Sequence, residues 1–125
     1  MGKTIVFDFD GVIHKYSKGW QDGSIYDEPT PGVSAVIEKL HNKGYEIVVV
    51  SSRCSTQAGI DAIASYLDRY QIKVDRICKE KPPALVYVDD RAICFDGNAD
   101  NLYTQITTFK TWQQKEKEKH VNRLF

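Results

Sequence analysis

The sequence predicts an α/β fold: a mostly parallel central sheet with helices on both faces, three layers in a Rossmann-like arrangement. Three observations carry this. Short apolar runs alternate along the chain with stretches whose apolar residues recur at helical spacing. The connections between them are short, as right-handed crossovers between parallel strands require. The 125 residues, 42% hydrophobic and 27% charged, fit a single domain that buries about two-thirds of its unfolded surface.

Each element has its own signal. Residues 4–7 (TIVF) are an apolar run that reads as a buried strand, stopped at Asp8. Residues 11–31 carry Gly11, Gly19, Gly23, Pro29 and Pro31 and read as irregular chain. A helix follows, with Thr30 as its N-cap and Pro31 in the first helical position, where a missing N–H costs nothing. Its apolar stripe is Val33, Val36, Ile37 and Leu40, and Gly44 ends it as the residue just past the last turn. Residues 45–50 are hydrophobic without alternation, so this second strand is covered on both faces. Residues 56–70 form a second amphipathic helix with Ile60, Ile63, Leu67 and Tyr70 on one stripe. Residues 74–78 and 85–88 read as a third and a fourth strand, residues 92–95 as a fifth, and residues 99–106 as a further helix. Residues 113–125, with KEKEK at 115–119, read as a polar tail or the solvated end of a helix.

Several function classes are excluded early. Seventeen basic and 17 acidic side chains cancel, which argues against nucleic-acid or membrane-surface binding driven by net charge. The apolar runs are far shorter than the ~20 residues needed to cross a bilayer, so no membrane association is expected. Cys54, Cys78 and Cys94 are odd in number and far apart, with no C-x-x-C pair. They read as free thiols of a cytoplasmic protein rather than as a zinc site or a disulfide framework.

In parallel sheets ligands bind beyond the carboxyl ends of the strands. Here those ends carry Asp8 and Asp10 after the first strand, Ser51 and Ser52 after the second, Lys79 and Lys81 after the third, and Asp89 and Asp90 after the fourth. Asp and Ser favour turns, which accounts for any one of them. Four carboxylates on one edge are another matter, since like charges 4 Å apart repel by roughly 4 kcal/mol in a moderately screened site. Carboxylates without His or Cys partners suit a hard cation, and Mg²⁺ is the natural choice. A lysine opposite such an ion makes a place for a phosphate group. If the strand conformation continued past Asp8, the Asp8 and Asp10 side chains would share a face about 7 Å apart.

Residues 5–12 (IVFDFDGV) resemble the first motif of the haloacid dehalogenase superfamily of phosphotransferases, a hydrophobic strand followed by D-x-D-G. Val48, Val49, Val50 and Ser51 resemble its second motif, Lys81-Pro82 its third, and Val86 to Asp90 (VYVDD) its fourth. All four stand in the family's order, over residues 3–97. The resemblance implies a phosphatase. Asp8 matches the nucleophile that becomes an aspartyl-phosphate, and Asp10 the general acid/base. Ser51 matches the hydroxyl that bonds a phosphoryl oxygen, and Lys81 the neutralising amine. Asp8, the Asp10 carbonyl, Asp89 and Asp90 match the Mg²⁺ site. Ser52 stands as the alternative to Ser51, and Lys79 as the alternative to Lys81. Delivering a proton at neutral pH requires a raised pKa on Asp10.

Larger members of that family insert a cap that selects the substrate. Only 20 residues, 11–30, separate D-x-D from the first helix here, so the resemblance implies a capless member with an open site. The loop around Lys18, Gly19, Trp20 and Tyr26 is its one cover, unless homo-oligomerisation supplies a neighbouring subunit as a lid. The expected partner is a phosphorylated substrate, with nucleic acid entering only as a phosphate-bearing substrate. Trp20 and Tyr26 read equally as stacking platforms or packing anchors. Arg53 reads either as a surface arginine beside a local acid or as a group reaching a second phosphate or a substrate carboxylate, and His14, His41 and His120 read as ordinary.

Two other readings compete. A receiver-type signalling module has a similar sheet but places its acidic pair first, its acceptor Asp after the third strand and its Lys after the fifth, an order this chain does not follow. A non-catalytic binding domain would not need every one of these polar positions filled. An EF-hand fails outright, because Val12 and Ile13 stand where a ligand and a glycine are required.

Overall fold

Four short strands line up in the order β3-β2-β1-β4, all parallel. They are β1 (Thr4–Asp8), β2 (Glu46–Val50), β3 (Arg76–Cys78) and β4 (Val86–Val88). With the helices α1 (Val33–Asn42) and α2 (Gln57–Arg69) they make a Rossmann-like α/β fold, and α3 (Leu102–Thr107) and α4 (Trp112–Leu124) follow later in the chain. The computed structural model describes residues 3–124. The chain divides into two compact units, one up to Asp89 and one from Asp90 onward.

In the first unit the period-two alternation of β1 and β2 sorts their side chains between two cores. Ile5, Phe7, Ile47 and Val49 join Ile37 of α1 and Ile63, Tyr66 and Leu67 of α2. Val6, Val48 and Val50 bury on the opposite face with Ala84. Both crossovers step the same way across the sheet, and right-handed connections then put both helices on one face. Each fully buried Val or Ile contributes about 1.5–3 kcal/mol.

Several boundaries differ from the expectations. Thr30 is not the N-cap of α1; Gly32 is, at φ 87°. Thr30, Pro31, Gly32 and Val33 form a β-turn closed by Val33 N–H to Thr30 O at 3.1 Å, with proline preset at its second position and glycine supplying the positive φ at its third. This pushes the helix start two residues on, and Val36, expected on the apolar stripe, lies in solvent at 52% exposed. Gly44 does close α1: at φ 88° it donates to His41 O, and Tyr45 N–H reaches back to Leu40 O. The third strand starts at Arg76 instead of residue 74, because the Asp75 carboxylate takes the Ile47 N–H at 2.7 Å in place of a ladder bond.

In the second unit residues 92–95 form no strand. Their side chains are mostly exposed, Phe95 at 57%, so the run has no buried face to hold an extended conformation. Helix α4 begins where a polar tail or helix end was expected. It starts on a reciprocal cap: Thr111 N–H donates to Gln114 Oε1 at 2.8 Å and Gln114 N–H to Thr111 Oγ1 at 3.3 Å.

Candidate active site

The sheet register brings the polar strand ends together. Phe7 pairs with Val88 and Asp8 with Val50, so Asp89 and Ser51 emerge on either side of the end of β1. One carboxylate oxygen each of Asp8, Asp89 and Asp90 lies within 4.8 Å of the other two, and all three residues are half-buried. These are the residues that can hold a metal ion: three hard oxygen donors with no His or Cys among them, the donor set of a small dication. Lys81 Nζ donates to Asp89 Oδ2 at 3.0 Å, which brings a positive charge to the edge of the cluster. Lys81, and not Lys79, makes this contact.

Asp10 goes elsewhere. β1 stops at Asp8, Phe9 is fully buried, and the chain folds back so that Ile13 and His14 N–H both donate to Phe9 O. Gly11, at φ 87°, makes this reversal. The extended geometry that would align Asp8 with Asp10 therefore ends, and the Asp10 carboxylate is not a member of the Asp8, Asp89, Asp90 cluster. It receives Arg53 instead, Nε at 2.9 Å and Nη2 at 3.2 Å, and His14 Nδ1 at 2.8 Å.

Both partners were missed in the sequence. Arg53 is no surface arginine: its side chain is 8% exposed, and Nη1 donates to Gly23 O at 2.6 Å. Its main chain is held too, since Arg53 N–H donates to Ser51 Oγ at 3.1 Å, and α2 packs closely behind it. A Cβ on Gly59 would lie 1.7 Å from Arg53 O, so only glycine fits there. His14 is fully buried among the rings of Phe9, Tyr16, Tyr26 and Tyr66. Its Nε2 accepts the Asp27 N–H at 3.1 Å, which assigns the ring proton to Nδ1, facing Asp10. The available signals were the arginine directly after a strand and the four-residue step from Asp10 to His14.

Electrostatics follow from this packing. Burial works to raise the Asp10 carboxyl, but the hydrogen bonds from His14 and Arg53 and the Arg53 charge outweigh it and hold the group below the ordinary carboxylate range. This is opposite to the direction expected of a resting proton donor. Ser51 is buried and Ser52 is exposed, each at the carboxyl end of β2. Cys54 is buried and its thiol is pushed up by that burial, as a packing residue rather than a nucleophile requires. Tyr26 spends its hydroxyl inside the loop, donating to Gly19 O and accepting from Lys18 N–H, whereas Trp20 stays largely in solvent. A separate groove of about 530 Å³ between the C-terminal ends of α1 and α2 holds none of these residues.

No protein-family model matches the chain, and no curated protein matches its sequence. Among solved structures, a chain of the structure of a Pnkp1/Rnl/Hen1 complex is similar in fold, with a TM-score of 0.51 and 18% identity. The likeness covers 89% of this chain and 36% of that one, so this chain spans about a third of its neighbour's length, and at such identity it speaks to the fold alone.

Proposed function

We propose that the chain is a capless, magnesium-dependent phosphatase of the haloacid dehalogenase type that hydrolyses a phosphate monoester through an aspartyl-phosphate on Asp8. The observation that carries this reading is the convergence of the Asp8, Asp89 and Asp90 carboxylates within 4.8 Å, with Lys81 bonded to one of them. Mg²⁺ held by these three residues would offset their mutual repulsion and lower the charge barrier between an anionic nucleophile and an anionic phosphoryl group.

The remaining steps belong to the chain's own residues. A monoester anion, whose second ionisation falls near pH 6, gives its proton to the ionised Asp10. A carboxylate oxygen of Asp8 attacks phosphorus, the bond from phosphorus to the ester oxygen breaks, and Asp10 passes that proton to the departing alcohol. Water then attacks phosphorus and gives a proton to Asp10, the bond to Asp8 breaks, and inorganic phosphate takes that proton from Asp10 as it leaves, which returns Asp10 to its ionised form. Ser51 donates its hydroxyl to a phosphoryl oxygen, with Ser52 the exposed alternative, and Lys81 neutralises charge there. The free thiols of Cys54, Cys78 and Cys94 support a reducing, cytoplasmic setting.

The test is release of phosphate from 4-nitrophenyl phosphate by the purified protein, with and without Mg²⁺, beside Asp8→Asn. Mg²⁺-dependent turnover that Asp8→Asn abolishes supports the reading. Full activity of Asp8→Asn, or of the wild type in excess chelator, overturns it.

A further inference from the structure

Arg53, which grips Asp10, also walls a groove of about 400 Å³, a size within the range of small-molecule sites. Trp20 stands beside it, and the far side comes from Ser55 and Thr56 just before α2 and from Ala58 and Ala62 in its first turns. The indole is 65% exposed and nevertheless fixed in direction. The Arg53 guanidinium carbon lies 5.4 Å from the ring centre, a Cβ added at Gly23 would come to 3.4 Å from the ring, and the Gly23 carbonyl accepts from Arg53 Nη1. A packing anchor buries its surface; this ring instead stays largely in solvent at the groove, with a cation that is itself locked in place over it.

From this arrangement we infer that the groove is the leaving-group subsite, and that it takes a phosphate monoester whose alcohol carries a planar aromatic ring, such as a nucleoside. The inference rests on the phosphatase reading, in which Asp10 protonates the departing oxygen. Arg53 joins Asp10 directly to the groove, so the alcohol lies on that side. The ring stacks on Trp20 while hydroxyls of Ser55 and Thr56 face its polar edge. A polyol phosphate has no π face and gains nothing from the indole.

Adenosine 5′-monophosphate and glycerol 3-phosphate are both esters of primary alcohols, so their intrinsic reactivities are matched. Trp20→Ala should lower the ratio of kcat/KM for the first over the second by about 5- to 150-fold, the loss of one stacked ring, and Trp20→Phe should restore most of it. An unchanged ratio overturns the subsite and leaves the phosphatase reading standing. Binding is read separately in Asp8→Asn carrying Trp112→Phe, where Trp20 is the remaining tryptophan. Saturable quenching of its fluorescence by adenosine 5′-monophosphate, and none by glycerol 3-phosphate, is expected; equal responses to both overturn the subsite. Quenching in a protein whose wild type releases no phosphate from these esters or from 4-nitrophenyl phosphate sinks the phosphatase reading and the leaving-group role with it, and leaves the groove a ring-binding site alone.

Discussion

Arg53 and Asp10 meet as a fork on a carboxylate, Nε to Oδ2 at 2.9 Å and Nη2 to Oδ1 at 3.2 Å, with the arginine side chain almost entirely buried. Two parallel charge-assisted bonds in a partly dry site are the strong form of this interaction. They set the ionisation of Asp10 and hold the loop that carries Gly23.

Replacing Arg53 with Ala should raise the Asp10 pKa, since burial would then be opposed by His14 alone. Carboxyl-carbon NMR titration checks the direction. The sign for stability follows. The folded pKa of Asp10 lies below the ordinary 3.8, so its contribution is present above that value and lost as pH falls through the folded pKa. The stability gap between wild type and Arg53→Ala should be about 1.5–3 kcal/mol at pH 7 and should narrow below pH 3.8. A gap independent of pH would contradict the assignment.

His14→Ala removes a fully buried ring and two hydrogen bonds, to Asp10 and to the Asp27 N–H. A loss of about 2–5 kcal/mol in urea unfolding is expected, as for other large-to-small changes in a core. Hydrogen exchange at the Asp27 amide should speed up well before global unfolding, because its acceptor is gone.

Gly59→Ala reverses the usual rule for helices. Alanine normally stabilises a helical position over glycine by about 0.5–1 kcal/mol. Here the added methyl would meet the Arg53 carbonyl, so a loss of about 1–3 kcal/mol is expected in a denaturant melt. A stabilised variant would show that α2 and Arg53 are not in close contact.

Much of this was legible in the sequence, and what was not had a physical reason. Continuous apolar runs such as Ile47 to Val50 have one comfortable environment, a strand covered on both faces, and β2 has it. Asp8, Asp89 and Lys81 are brought together by strand order and register, which the order of the elements encodes. Arg53 and His14 were hidden because their partners come from backbone reversals: Gly11 folds His14 onto Asp10, and a tight turn after β2 aims Arg53 across 43 residues of sequence. The Pro31-Gly32 turn won over a proline-initiated helix for a similar reason, since glycine at positive φ closes a turn that the helix start cannot.

Binding of Mg²⁺ to the Asp8, Asp89 and Asp90 cluster should appear as added stability. A ligand at a hundred times its dissociation constant contributes about 2.7 kcal/mol. Thermal unfolding with increasing MgCl₂ should therefore move upward, and in Asp89→Asn or Asp90→Asn most of that rise should vanish. An equal rise in all three proteins would place the ion elsewhere.

The segment holding Trp20 is moored to this centre through main-chain atoms, the Gly23 carbonyl on Arg53 and the Asp27 amide on His14. Both moorings use main-chain atoms of other residues, so residues 20–22 are free to diversify while the moorings survive. A library randomised at residues 20–22 would thus alter ligand preference without unfastening Asp10, an architecture suited to divergence by mutation.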